Sequence, residues 1–364
     1  MKGWKPWYHG FSDMSHTKFC FSSYDAKFLA KKTIEGYFKN LDQEELALLQ
    51  LYDFDTAVSG SAGVNYVNSL EMKTSLGFPW KKPKTTKFVF NMEELKYDVD
   101  PEIVTIVFEM IDCYRSGSRY CPVFCASTKD EAKSKEKNDL GEIRLFMGAP
   151  TPLVIVMRMF FGSLIRVVQR NPAKFGCAVG INAHSSEWNN LALRILRFGD
   201  GNIFDGDYKA YDKKMEAVLI YNAIAQAGEH IINNLEDLCG FTHVELLNIY
   251  HSIAADVAFA FIDYNGTLMS FLRNHVSGEP LTVIINCFIG GMYVRYAYKD
   301  VIFDDPNFEK FQDRVGEVYY GDDNVISVHP EIRDMFNFDS MQKSLAKVDV
   351  KYTKADKKEG TYLT

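Results

Sequence analysis

The chain lacks the patterns that build stapled, secreted or membrane-spanning modules. Its seven cysteines (20, 113, 121, 125, 177, 239 and 287) are odd in number and fall in no CxxC or Cys/His ligand spacing, since Cys121 and Cys125 lack a second pair. Reduced thiols in a cytosolic setting are expected, and a structural zinc is not. The opening "MKGWKPWYHGFSDMSHT" holds no apolar core of the kind a signal peptide needs. The most apolar long stretch, "TPLVIVMRMFFGSLIRVV" at 151–168, is broken by Arg158 and Arg166 and reads as a buried amphipathic helix, not a direct membrane span. There is no internal repeat and no low-complexity segment. Nor is there a basic excess: 41 Lys and Arg against 48 Asp and Glu leave a net charge of −7. Nucleic-acid binders are usually basic, so that class requires charge to be segregated between a basic channel and acidic outer faces.

What is present is a large, apolar, aromatic chain. At 364 residues, 47% hydrophobic and 14% aromatic, it can form two or three domains or one multi-lobed one with ample core. Residues 27–54 read as helical, with the apolar positions of "LDQEELALLQLYDF" at helical spacing and acids early in the helix. "KTSLGFPWKKPKTTK" (73–87) is a lysine-rich loop punctuated by Gly77, Pro79 and Pro83. Residues 101–116 look helical, with Pro101 suited to a first turn. A charge-dense stretch, 127–146, ends in a short strand. After the 151–168 helix, another at about 187–198 leads to "GNIFDGDYKAYDKKM", a strand feeding a turn. The region from about 213 to 254 reads as helix-rich, and Asn265-Gly266 marks a hairpin. Pro280 opens a helix to about Tyr298, and "VYYGDDNVISVHP" (318–330) reads as a second hairpin before a helix near 331–347. Strands and helices alternate without βαβ regularity, which predicts the α+β class.

The distinctive chemistry lies in carboxylates. Asp205 and Asp207 end a short strand, Asp212 follows, and Asp322-Asp323 sit at the tip of the second hairpin. Taken alone, that pair also suits a solvated turn, because Gly, Asp and Asn are turn formers. A strand-end aspartate with a two-aspartate hairpin is equally what two-metal phosphoryl transfer requires: Mg²⁺ ions about 3.5–4 Å apart, held by hard oxygen ligands on rigid elements. Without a cation, clustered like charges are costly. In "SGEPLTVIIN" (277–286), Thr282 and Asn286 are four apart and share a helix face, turned either to solvent or to a ligand.

In this order and spacing, "DYKAYD" (207–212), "SGEPLTVIIN" (277–286) and "YGDD" (320–323) resemble palm motifs A, B and C of viral RNA-dependent RNA polymerases. "KTSLGFP" (73–79) is similar to the template-channel motif G, "KDEAKSKEKNDLGEIRLF" (129–146) to motif F of the picornavirus-like group, and "YTKADKK" (352–358) to motif D. "GINAHSSEW" ahead of motif A, and the S-G-x-P-L-T form of motif B, resemble the marnavirus and dicistrovirus branch of the picorna-like viruses. Six motifs in order, over residues 73–358, are far more specific than a lone GDD.

The resemblance implies a right-hand polymerase: 1–164 fingers, 165–248 the first part of the palm, 249–274 a fingers insertion, and 275–364 the second part of the palm. Motif E and a helical thumb would follow in the family; neither is found in this sequence, so the thumb is read as missing and the chain as a fingers–palm core of a longer polyprotein. The implied activity is RNA-templated RNA synthesis, transferring nucleotides from rNTPs to a primer 3′-hydroxyl in replication of a positive-strand genome. Asp207 and Asp322 would hold two Mg²⁺ ions (Mn²⁺ as substitute), with Asp323 in support and the Tyr208 carbonyl as a further ligand. Asp205, on the same strand face, is the rival to Asp207; it is read as structural because the D-aromatic-x-x-aromatic-D pattern starts at Asp207. Asp212 and Asn286 would read the ribose 2′-hydroxyl, assisted by Ser277, Gly278 and Thr282. Lys133, Lys137 and Arg144 would line the nucleotide channel and neutralise triphosphate charge. Thr74 and Ser75 would touch the template backbone, and Lys357 of motif D would protonate pyrophosphate. Implied partners are template and product RNA, a protein primer and other viral replication proteins, on membrane-associated complexes in the host cytoplasm.

One departure concerns motif F. Glu142 stands where the enterovirus-type motif has lysine, and residues 129–144 carry five basic and five acidic side chains. Two rival readings remain open. A reverse transcriptase also has adjacent palm aspartates, but the Asp212/Asn286 pair and the fingers motifs speak against it. The other is a polymerase-derived core that binds RNA without extending a primer.

Overall fold

Turn and cap chemistry sets the element boundaries. Asn265 and Gly266 both take positive φ, 53° and 87°, as a type I′ turn demands, and the expected hairpin forms around them. Pro101 opens a 15-residue helix whose N-cap, Asp100, accepts from the Glu102 backbone N–H. In this computed structural model the described residues are 5–15 and 18–354. The first elements are helices α1 (Lys5–Met14), α2 (Ser23–Phe38), α3 (Gln43–Leu46) and α4 (Phe54–Ser59). Strands β1 (Phe88–Asn91) and β2 (Lys96–Val99) follow, then α5 (Pro101–Arg115), β3 (Val123–Thr128), α6 (Lys135–Leu140) and β4 (Leu145–Gly148). Next come α7 (Thr151–Arg170), α8 (Pro172–Phe175), α9 (Ser186–Leu196), β5 (Ile203–Tyr208) and α10 (Tyr211–Lys214). Helices α11 (Ala217–Ile232) and α12 (His243–Ala258) precede β6 (Phe261–Tyr264) and β7 (Thr267–Ser270). The last are α13 (Thr282–Val301), α14 (Phe311–Arg314), β8 (Val315–Tyr320), β9 (Asp323–Val328), α15 (Phe338–Lys347) and β10 (Tyr352–Thr353).

Two helical expectations are corrected. Residues 27–54 do not form one helix: Asp42 accepts from the Glu45 backbone N–H and starts α3, and Asp53 accepts from Thr56 N–H and starts α4. Side-chain caps compete with helix continuation and win here. The helix expected near 331–347 begins only at Phe338, where Asn337 and Ser340 make a reciprocal capping box.

The chain divides into two compact units: Met1–Lys18, Leu49–Arg166 and Asp212–Thr282 form the first, and Phe19–Leu48, Val167–Tyr211 and Val283–Thr364 the second. In the first, a four-stranded sheet runs β4-β3-β6-β7, with only β3–β6 parallel. Its helical core centres on Tyr250 of α12, whose hydroxyl donates to the Phe160 carbonyl at 2.8 Å and whose ring meets Phe161 edge-on at 4.9 Å. The close approach of α11 depends on Gly228, where a Cβ would stand 2.5 Å from the Tyr250 ring. Helix α7 is long and apolar enough to cross a membrane, yet 78% of that stretch is buried inside the protein. Its Arg158 guanidinium donates to the Ala57 and Asn68 carbonyls, so the charge that interrupts the apolar run is hydrogen-bonded.

In the second unit an antiparallel sheet runs β10-β5-β9-β8. Its closed face carries a cluster of tyrosines: Tyr208 lies 4.8 Å from Tyr211, 4.9 Å from Tyr352 and 5.7 Å from Tyr293, ring centre to ring centre.

Candidate active site

The sheet of the second unit has two unlike faces, because side chains alternate along each strand. In β5, Phe204, Gly206 and Tyr208 are buried, whereas Asp205 is exposed and Asp207 half-buried. Gly206 pairs with Asn324 of β9, and Tyr320 of β8 pairs with Asp323. That register puts Asp205, Asp207 and Asp323 on the open face, and Asn324 with the tyrosine cluster on the closed one. The two-residue turn between β8 and β9 is Gly321-Asp322. Only Gly321 has positive φ, 67°, the pattern of a type II′ turn with glycine first. Asp322 therefore stands at the tip beside the end of β5, and the structure brings Asp207, Asp322 and Asp323 together.

Their proximity is electrostatic as well as topological. The Asp323 carboxyl is pushed up from its ordinary value by desolvation and then by the charges of Asp322 and Asp207. Among the described residues, no three His, Cys, Asp or Glu side chains form a ready-made metal cage. The donors are all hard oxygens, which suit Mg²⁺ or Mn²⁺ better than zinc. A mostly apolar cavity of about 650 Å³ opens on the same face, bounded by Trp188, Leu191 and Ile195 of α9 and by Asp205, Tyr320 and Asp323.

Behind the turn, Asn324 donates through Nδ2 to the carbonyls of Gly206 (3.0 Å) and Asp322 (3.1 Å), and accepts the Tyr352 hydroxyl at 2.6 Å. Strand β10 completes this edge, pairing Thr353 with Asp207 and donating the Thr353 hydroxyl to the Asp207 carbonyl. Asn286, half-buried on α13, uses its backbone carbonyl to accept the Tyr211 hydroxyl at 2.7 Å. Lys357 lies outside the described residues.

The remaining motif residues belong to the first unit. Ser277 is zipped to β4: its N–H donates to the Met147 carbonyl at 3.0 Å, and its Oγ accepts the Met147 N–H at 3.2 Å. Gly278 has φ +82°, and a Cβ there would stand 3.3 Å from Gly148 Cα and Ala149 N, so this loop needs glycine. The Asp212 carbonyl accepts the His275 N–H at 2.8 Å. The Thr282 hydroxyl donates to the Glu279 carbonyl at 2.9 Å. In the lysine-rich loop, the Thr74 hydroxyl donates to the Glu71 carbonyl and accepts from Lys84, while Ser75 Oγ accepts from Gly77 N–H. Both hydroxyls thus shape the loop itself.

Motif F is organised around Glu131. Its carboxylate lies 3.1 Å from Lys133, 3.8 Å from Arg144 and 4.0 Å from Lys129, and is held below its usual range chiefly by the Lys133 hydrogen bond. Lys133 also donates to the Glu142 carbonyl at 2.6 Å, whereas Lys137 and Arg144 are exposed. Glu131 and Asn324 were passed over in the sequence. The signal for Glu131 was one acid flanked by lysines two residues away on each side; for Asn324 it was the strand alternation after Asp323.

Comparison with known proteins places the chain in a family. Residues 28–363 match the family model described as viral RNA-dependent RNA polymerase. The replicase polyprotein of Acute bee paralysis virus is similar at 25% identity over 321 residues, 84% of this chain and 16% of that polyprotein. That of Cricket paralysis virus is 23% identical over 311 residues, 82% and 18% respectively. The RNA1 polyprotein of Tomato black ring virus is 29% identical over 331 residues, 90% of this chain and 13% of that one. The chain thus spans less than a fifth of the length of these relatives, which bear out the picorna-like, dicistrovirus-related likeness of its motifs. A solved structure, a Sicinivirus 3Dpol RNA dependent RNA polymerase, superposes with a TM-score of 0.68 at 16% identity, covering 91% of this chain and 69% of that one. That likeness shows the right-hand polymerase fold. With the acid-bearing hairpin in place and nearly the whole chain matched, the chain belongs to the viral RNA-dependent RNA polymerase family.

Proposed function

We propose that this chain performs RNA-templated RNA synthesis, joining rNTPs to a primer 3′-hydroxyl by two-metal nucleotidyl transfer. The observation that carries the reading is the register of β5 against β9, which seats Asp207 beside the Asp322-Asp323 turn. Asp207 and Asp322 would each offer carboxylate oxygens to both metal positions, with Asp323 and the Tyr208 carbonyl in support. Two Mg²⁺ ions bound there would supply a more acidic primer hydroxyl and charge neutralisation for the departing pyrophosphate. Asp212 and Asn286, with Ser277, Gly278 and Thr282, would bind the ribose 2′-hydroxyl, which both donates and accepts. Lys133, Lys137 and Arg144 would neutralise the triphosphate. The loop shaped by Thr74 and Ser75 would meet the template, and Lys357 would hold the proton delivered to pyrophosphate. The expected partners are template and product RNA, a protein primer and other viral replication proteins, on membrane-associated complexes in the host cytoplasm.

Primer extension on an RNA template tests this, comparing rNTPs with dNTPs and with Mg²⁺ withheld. Ribonucleotide incorporation that requires the metal is expected. Preference for dNTPs would favour a reverse transcriptase, and RNA retention without incorporation would favour a binding core.

A further inference from the structure

On the closed side of the sheet, behind the Gly321-Asp322 turn, lies a buried charge pair to which the proposed function assigns no role. Arg295 of α13 and Glu317 of β8 are each 1% exposed. The guanidinium donates from one nitrogen to Glu317 Oε1 at 3.0 Å and Oε2 at 3.2 Å. It also lies over the Phe311 ring at 4.1 Å and the Tyr37 ring at 5.2 Å. Glu317 Oε2 accepts the Tyr319 hydroxyl at 2.8 Å.

Burying two charges carries a desolvation penalty, and apolar residues of similar volume are often at least as stabilising. Stability alone is therefore a weak reason for this pair. What the pair supplies is direction, because a planar guanidinium on a carboxylate fixes orientation as methyl groups cannot. The oriented carboxylate holds Tyr319, whose backbone N–H donates to the Gly176 carbonyl at 2.7 Å and whose carbonyl accepts the Ala178 N–H at 2.8 Å. Tyr319 is also seated against α13, where a Cβ on Gly290 would come within 2.8 Å of its ring. Directly across the hairpin Tyr319 pairs with Asn324, and Asn324 holds the Asp322 carbonyl.

We propose that Arg295 and Glu317 are positioning residues for the polymerase reaction, acting through Tyr319 to fix where β8 enters the turn and hence where the Asp322 carboxylate stands. The inference rests on the polymerase reading of the site. Tyr319→Phe removes only the hydroxyl and keeps the ring and the ion pair. The expected result is a melting temperature close to wild type, kcat lowered about tenfold and nucleotide KM unchanged, as for an interaction that matters in the transition state. Amide exchange at Gly321, Asp322 and Asn324 should accelerate in this variant. The double variant Arg295→Met with Glu317→Leu should fold and still show the low kcat. Wild-type kcat in either variant, or a change confined to KM, overturns the proposal. If the unaltered protein fails to extend a primer, the polymerase reading falls by itself. The exchange comparison then still decides on the pair, since unchanged protection in Tyr319→Phe would exclude it.

Discussion

One side chain of β9 holds both the turn and the neighbouring strand: the Asn324 amide donates to the Gly206 carbonyl at 3.0 Å and to the Asp322 carbonyl at 3.1 Å. Asn324→Ala should therefore lower stability by about 3 kcal/mol, since two carbonyls and the Tyr352 hydroxyl lose a buried partner. Incorporation should fall further than stability explains, because the Asp322 backbone is released. Chemical denaturation alongside primer extension measures both, and a variant that extends at the wild-type rate would separate Asn324 from the chemistry.

Asp322→Ala should abolish incorporation while leaving the melting temperature nearly unchanged, because Asp322 is exposed at a turn. A protein with both Asp322 and Asp323 replaced that kept full extension would end the polymerase reading.

The open face offers two strand-end acids, and their ranking is testable. Asp207→Asn should reduce extension by at least ~10²-fold, the scale on which metal-site partners act, and Asp205→Asn by less than about tenfold. The opposite order would move the metal position to Asp205.

Asn286→Ala should lower the preference for rNTPs over dNTPs by about tenfold or more. A site that hydrogen-bonds a hydroxyl rejects its absence strongly. The backbone carbonyl that holds Tyr211 is untouched by the change, so the fold should persist. An unaltered rNTP/dNTP ratio would place sugar reading on other residues.

Glu279, in the loop before α13, is fully buried, and burial pushes its carboxyl up to about 7 from an ordinary 4.5, with His275 Nε2 3.7 Å away. The folded state holds this proton more tightly than the unfolded one. Its contribution is complete below about 4.5 and is lost as pH rises through about 7. At ~1.4 kcal/mol per pH unit, unfolding free energy should drop by up to about 3 kcal/mol between pH 5 and pH 8. Urea denaturation across that range should show the slope in wild type and a flatter line in Glu279→Gln. Parallel curves for the two proteins would contradict it.

Much of the site could be read from the sequence because it rests on short-range rules. Period-two alternation places Asp205 and Asp207 on one face, glycine defines the Gly321 turn, and Asn265-Gly266 defines the other hairpin. What could not be read depends on partners distant in the chain. Nothing local to Glu317 announces Arg295, and nothing in "KDEAK" says that Glu131 also draws in Arg144. The helical stretch at 27–54 is interrupted for a local reason, as Asp42 and Asp53 cap new helices where hydrophobic spacing favours continuation. The hydroxyls of Thr74 and Ser75 are engaged inside their own loop through pairings that the loop's composition does not announce.

The two-residue turn also constrains how this gene can vary. Side chains change faces at every step along β8 and β9, so inserting or deleting one codon within either strand would move Glu317 or Asn324 to the open side and apolar residues such as Val318 or Val325 to the closed one. A change of two codons would preserve the faces and only shift the pairing. Viable length variants of this hairpin should therefore differ by even numbers of residues, a parity rule that deep sequencing of an insertion–deletion library would reveal without any assay of the purified protein.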